Sequence, residues 1–253
     1  MNRYFLKLSY NGTKYHGWQI QENTPKTVQQ VLNDSLSMLL NEKIETLGCG
    51  RTDTGVHAHE FYAHFDSQKK DLHKDPRLWL YKFNLVLPHD IAIQQIIPVK
   101  IDANARFSAL SRTYKYIINR KKDPFLIDST YYLYGNLDID LMNKACKELM
   151  KHKDFSCFSK TRTQVKTNDC KITKAEWTDE NGLLIFTITA DRFLRNMVRA
   201  IVGTMIEIGQ GKMPVENFKK IIEGKNRSDA GFSVPACGLY LTKVVYPAKI
   251  LLK

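Results

Sequence analysis

The sequence predicts an α+β protein, and three observations carry that prediction. Stretches with a two-residue apolar period are interspersed along the chain with stretches of helical period. Two strand-like stretches, 171–178 and 183–190, flank Glu180-Asn181-Gly182 and read as a hairpin, which argues against an all-parallel sheet. The order of strands and helices then recurs in the second part of the chain, as in two similar halves, although no sequence repeat is strong enough to prove duplication.

The elements follow in order. Residues 4–10 alternate apolar and polar side chains, a half-buried strand, and Asn11-Gly12 ends it as a turn. Val28, Val31, Leu32, Ser35, Leu36, Leu39 and Leu40 form one face at helical spacing after Pro25 and the capping residue Thr27. A short strand over 44–48 leads into a loop over 50–57, and the strand over 60–65 leaves it. A helix over 77–85 and an Ile- and Val-rich strand over Ile91–Val99 come next. The second part reads as a strand over 113–119, a helix over 139–150, the hairpin, an apolar helix over 193–208, a helix over 214–223 and a last strand over 238–245. Residues 106–112 are the expected crossover, dividing the chain into an N-terminal half, 1–105, and a C-terminal half, 106–253.

With 43% hydrophobic and 25% charged residues the composition is that of an ordinary globular protein. The five cysteines are scattered without a close pair, which argues against a disulfide framework or a zinc knuckle and favours a reducing compartment. No signal-peptide pattern opens the sequence, and no apolar run approaches the roughly 18 residues of a membrane span. The expected location is therefore cytoplasmic, with no membrane partner. Lys and Arg outnumber Asp and Glu by 38 to 26, a formal charge of +12. An excess of that size attracts polyanions, most often nucleic acid, though a merely basic protein would also show it. The cations recur as Arg120-Lys121-Lys122, Lys151 and Lys153, Lys160, Arg162 and Lys166, Arg192, Arg195 and Arg199, and Lys219-Lys220. That spread suits a folded surface following a phosphate backbone.

The most unusual segment is the loop from Gly48 to His57, which packs Gly48, Gly50 and Gly55 around Arg51 and Asp53. Glycines permit unusual backbone conformations and close approach of a ligand. Arg51 and Asp53 lie two apart, so in an extended stretch both project to one face, either as a surface ion pair or as a reactive group with its neighbour. The spacing fits no phosphate-cradling motif and no nucleophile elbow, which sets aside kinase, dinucleotide and hydrolase readings. His57 and His59 could share a strand face with His64 on the other, but two histidines without a third ligand are weak grounds for a metal. Residues 105–109 followed by Arg112-Thr113-Tyr114-Lys115-Tyr116 interleave cations with rings, as RNA binding uses, although Tyr114 and Tyr116 also fit as inward residues of a strand. Arg192, Arg195 and Arg199 fall at one helical face and call for an anion, RNA phosphate or a carboxylate.

The motifs together resemble the TruA family of tRNA pseudouridine synthases. The segments are Tyr10-Asn11-Gly12-Thr13-Lys14-Tyr15-His16-Gly17-Trp18-Gln19, Thr27-Val28-Gln29, Gly50-Arg51-Thr52-Asp53 with Gly55-Val56-His57-Ala58, and residues 105–109. Arg112, Tyr114 and Tyr116, then Phe193-Leu194-Arg195-Asn196-Met197-Val198-Arg199 with Ile201-Val202-Gly203, and Pro235-Ala236-Cys237-Gly238-Leu239-Tyr240-Leu241 complete the series. Thr54 stands where the family commonly has Ala, and Asp191-Arg192 is more polar than the family pattern.

The resemblance implies isomerisation of uridine to pseudouridine at positions 38, 39 and 40 of the tRNA anticodon arm, without cofactor or metal. It implies two related halves, each a mainly antiparallel sheet with helices on one face, around a central basic cleft, in a homodimer. Asp53 would be the essential nucleophile or base, Arg199 its cationic partner, and Tyr114 the ring that stacks on the target uracil. Arg51 would occupy the space that a flipped nucleotide leaves. A non-catalytic RNA-binding module, and more distantly a metal-dependent nuclease through His57 and His59, are the competing readings.

Overall fold

A computed structural model describes residues 1–22, 24, 26–160 and 167–252. Pro25, Arg162 and Lys166 lie outside the described residues. The chain divides into two compact units, Met1–Leu110 with Tyr240–Lys253, and Ser111–Leu239.

In the first unit β1 (Asn2–Tyr10) runs between β3 (His57–Ser67) and β4 (Ile91–Val99), antiparallel to both. From Leu6 onward β1 alternates as its sequence predicts, with Leu6, Leu8 and Tyr10 buried. Phe5 breaks the alternation and is buried too, its ring meeting the edge of Tyr246 at 5.2 Å. Helix α1 (Val28–Leu40) begins where Thr27 accepts a hydrogen bond from the Gln30 N–H, the expected cap. It buries Val28, Leu32, Leu36 and Leu40, each contributing about 1.5–3 kcal/mol. Helix α2 (Pro76–Val86) starts on the Asp75 cap and packs on β4 and α1.

The strand expected over 44–48 shrinks to β2 (Leu47–Gly48), which pairs with His64 and Ala63 of β3. The reason is local. Ser37 and Asn33 of α1 accept the Ile44 and Thr46 N–H groups, which are then lost to a sheet. The strand expected over 60–65 is longer, because β3 extends back to His57. There β9 (Leu239–Val245) joins it in parallel, Tyr240 beside His57 and Leu241 beside Ala58.

In the second unit β5 (Ser111–Asn119) and β7 (Ile172–Glu180) flank β8 (Leu183–Ala190), both antiparallel to it. The short β6 (Tyr131–Tyr132) pairs with the end of β5 in parallel. The β7–β8 hairpin closes through Asn181 and Gly182 at φ 56° and 84°, the two left-handed residues its tight turn needs. Helix α3 (Ile139–Leu149) packs on β7, where the Asn143 amide bonds both the N–H and the carbonyl of Trp177.

Helix α4 (Met197–Gly209) is apolar on most sides and correspondingly buried. It is shorter than the helix expected over 193–208. Asn196 stands at φ 66°, a left-handed residue that cannot continue a right-handed helix. Arg192 and Arg195 therefore precede the helix, and the single helical face expected for Arg192, Arg195 and Arg199 does not form. Helix α5 (Val215–Gly224) follows Pro214 and packs on α3. Among the described residues no helix is long and apolar enough to cross a membrane.

Candidate active site

The loop carrying Asp53 is held in the first unit by backbone hydrogen bonds to the chain that follows β1. Trp18 N–H donates to the Thr52 carbonyl at 3.2 Å, and Gly55 N–H to the Tyr15 carbonyl at 3.3 Å. Two glycines allow this closeness. A Cβ on Gly12 would overlap the Val56 carbonyl, and one on Gly17, at φ 82°, would overlap that of Thr52. The start of α1 grips the same segment from the other side, through Val28 N–H to the Gly17 carbonyl and Gln29 N–H to the Trp18 carbonyl. Gln29 adds its side chain, accepting from Ile20 N–H and donating to the Thr46 carbonyl.

Within the loop Thr52 is buried, and its hydroxyl meets the Tyr10 hydroxyl at 2.9 Å. Asp53 is half-buried, and its carbonyl accepts the Val56 N–H at 3.1 Å, closing the turn through Gly55 at φ 78°. The carboxylate thus sits on backbone fixed from both sides. Arg51 is exposed and forms no hydrogen bond or ion pair among the described residues, so the surface ion pair with Asp53 is not made.

The histidines have structural partners. Nδ1 of buried His57 accepts the Gly12 N–H at 3.1 Å, and its ring stacks on Tyr240 at 4.6 Å. His59 also faces Tyr240, so the two do share a side of β3. His64 accepts the Ala105 N–H through Nδ1 at 3.1 Å, and burial, reinforced by Arg3, pushes its pKa down from 6.5 to about 4. Among the described residues no group of three His, Cys, Asp or Glu side chains is placed to hold a metal ion. Further along the unit, Asn104 caps the Arg106 and Phe107 N–H groups, leaving the Phe107 ring exposed with the Arg106 guanidinium 5.4 Å from its centre.

In the second unit Tyr114 lies on β5 opposite Ile188, buried, with its ring against the edge or face of Phe193 at 5.0 Å and 85°. Tyr116 shares that side of the strand and donates to the Pro235 carbonyl at 2.8 Å. Burial raises its pKa, while nearby Arg199 opposes the rise. Both side chains are buried on the same side of the strand. Arg199 occupies the first turn of α4, and its Nε–H donates to the Val234 carbonyl at 2.7 Å. Its own carbonyl accepts the Val234 N–H at 3.3 Å.

That clamp is part of a larger seam. Asn196 donates to Ser233, Gly231 N–H donates to the Thr204 hydroxyl at 2.9 Å, and a Cβ on Gly203 would overlap the Phe232 carbonyl. The residues before Pro235 thus lie along α4 and fix where the Arg199 side chain starts. Sequence reasoning missed Gln29, Tyr10 and Val234 as parts of this framework. Gln29 and Tyr10 stood inside the quoted motifs, whereas a backbone carbonyl such as that of Val234 leaves no sequence signal.

Each unit therefore offers distinct chemistry: a rigidly mounted carboxylate with an exposed cation in the first, and an oriented aromatic ring with an anchored guanidinium in the second. A family model described as tRNA pseudouridine synthase matches residues 145–247. The chain is 50% identical over 250 residues to tRNA pseudouridine synthase A of Parabacteroides distasonis, covering 99% of this chain and 98% of that one. It is 48% identical over 254 residues to the protein of the same name from Porphyromonas gingivalis, covering 100% of each. With the Caldicellulosiruptor bescii protein of that name it shares 39% over 249 residues, 97% of this chain and 100% of the relative.

Proposed function

The chain belongs to the tRNA pseudouridine synthase family, and from that premise we propose that it isomerises uridine to pseudouridine in the tRNA anticodon arm, at positions 38, 39 and 40. The observation that carries the proposal is the mounting of Asp53, a half-buried carboxylate on a loop pinned by Thr52, Gly55 and Val56. A preorganised carboxylate is what the chemistry asks for.

The reaction breaks the bond from ribose C1′ to uracil N1, turns the ring and forms a bond from C1′ to C5. The C5 proton leaves to water and N1 ends protonated, so atoms balance without an oxidant or reductant and the step needs no redox cofactor. Asp53 serves as nucleophile or base in this sequence. Arg199 supplies positive charge for the reacting anion, held in place by the Val234 carbonyl. Tyr114, oriented by Phe193, supplies the face on which the uracil stacks. Exposed Arg51 fills the place of the nucleotide turned out of its stack. The proposal includes a homodimer working in the cytoplasm, where its substrate is found. The net charge of +12 supports a polyanionic partner.

The test is tRNA carrying tritium at uracil C5, incubated with the protein and no added cofactor. Label should pass to water, and no release on an unmodified cognate tRNA would sink the proposal. Asp53→Asn should abolish release while tRNA binding is largely kept. Equal losses of binding and turnover would make Asp53 a structural residue.

A further inference from the structure

We propose that Arg120, Lys121 and Tyr134 form an additional RNA contact on the second unit, taking an unpaired nucleotide of the tRNA with its base on Tyr134 and its phosphates on the two cations. The inference rests on the reading of tRNA as the substrate.

The fold brings these residues together. β5 ends at Asn119, and its carbonyl accepts the Leu133 N–H at 2.9 Å after β6 has paired alongside. Arg120 and Tyr134 emerge together from that point. Arg120 donates to the Asn136 side chain at 2.9 Å, which holds the guanidinium over an open cavity of about 400 Å³. The end of the β7–β8 hairpin adds Asp179 and Gly182 to its lining.

Two features leave this patch open to a ligand. Tyr134 is 82% exposed and has no ring contact among the described residues, so its face is open to a ligand. Arg120, Lys121 and neighbouring Lys122 form no ion pair among the described residues. Some other surface lysines do, including Lys43 with Glu45 and Lys174 with Glu176. Asp179 is the one carboxylate of the lining, and one of its oxygens already accepts the Gly182 N–H at 2.9 Å.

An exposed ring beside a guanidinium and an ammonium suits a stacked base with its flanking phosphates, in the manner of single-stranded RNA sites. An acidic peptide would use the cations and leave the ring without a role.

The experiment measures tRNA binding across a salt series for the whole protein. Tyr134→Ala should raise Kd by about 5- to 100-fold, and Tyr134→Phe, which keeps the ring, should bind like wild type. Arg120→Ala with Lys121→Ala should lower the slope of log K against log salt by about 1.5. Lys43→Ala, which removes a cation elsewhere, should leave both quantities unchanged. Thermal midpoints confirm that the variants fold. A Kd and a salt slope equal to wild type in both patch variants would overturn the proposal. Wild-type protein that binds tRNA but releases no tritium would overturn the enzymatic reading instead, and the Kd comparison would still decide the patch.

Discussion

The imidazole of His57 accepts the backbone N–H of Gly12 at 3.1 Å, tying the first residue of β3 to the turn that ends β1. The bond requires the unprotonated Nδ1 and a neighbour without a side chain, since a Cβ on Gly12 would strike the Val56 carbonyl. Gly12→Ala should therefore destabilise the protein by about 2–4 kcal/mol through a forced backbone shift. It should also lower turnover, because Val56 is the residue whose N–H closes the Asp53 turn. Urea unfolding and tritium release check the two effects.

The Tyr10 and Thr52 hydroxyls meet at 2.9 Å in a buried setting next to Asp53. Tyr10→Phe leaves the Thr52 hydroxyl without that partner and should cost about 1–3 kcal/mol. Adding Thr52→Val should recover part of the loss, because both polar partners are then gone. A double-mutant cycle on unfolding free energy reads the coupling.

Arg199→Lys keeps the charge and removes the Nε–H that donates to the Val234 carbonyl. A lysine has no fixed fork and would not hold the same position. Turnover should fall at least about tenfold with a smaller change in tRNA affinity, as measured by single-turnover release and by equilibrium binding. Equal loss in both would assign Arg199 to binding alone.

His64 titrates near pH 4 in the folded protein instead of 6.5, chiefly because burial disfavours its charged form. Below pH 6.5 the unfolded chain takes up the proton and the folded one does not, so stability falls as pH drops from about 6.5 toward 4. Above that window the contribution is flat. At pH 5 the loss is about 2 kcal/mol. His64→Gln should flatten the change in urea midpoint between pH 7 and pH 5 relative to wild type, and an unchanged slope would show that other groups govern it.

Several elements were legible because their causes are local. The β7–β8 turn follows from Asn181-Gly182, which tolerate positive φ, and α1 from a capping threonine and an apolar stripe. Asp53 could be singled out because its loop concentrates glycines around a charged pair. The start of α4 departs from the expected helix because the apolar pattern of 193–208 is helical throughout, while the backbone turns left-handed at Asn196, whose side chain bonds Ser233. Ile44 and Thr46 looked like strand residues until Ser37 and Asn33 claimed their N–H groups.

The amino-acid sequence by itself determined the α+β class, the basic character and the order of most strands and helices, since these depend on period, propensity and charge within short windows. The tertiary structure alone decided that the chain returns after residue 239 to lay β9 beside β3, and that His57 and His64 serve as acceptors for backbone N–H groups. It also decided that Val234 holds Arg199. Those relationships join residues far apart in the chain through hydrogen bonds and packing, and no local pattern encodes which distant group a side chain will meet.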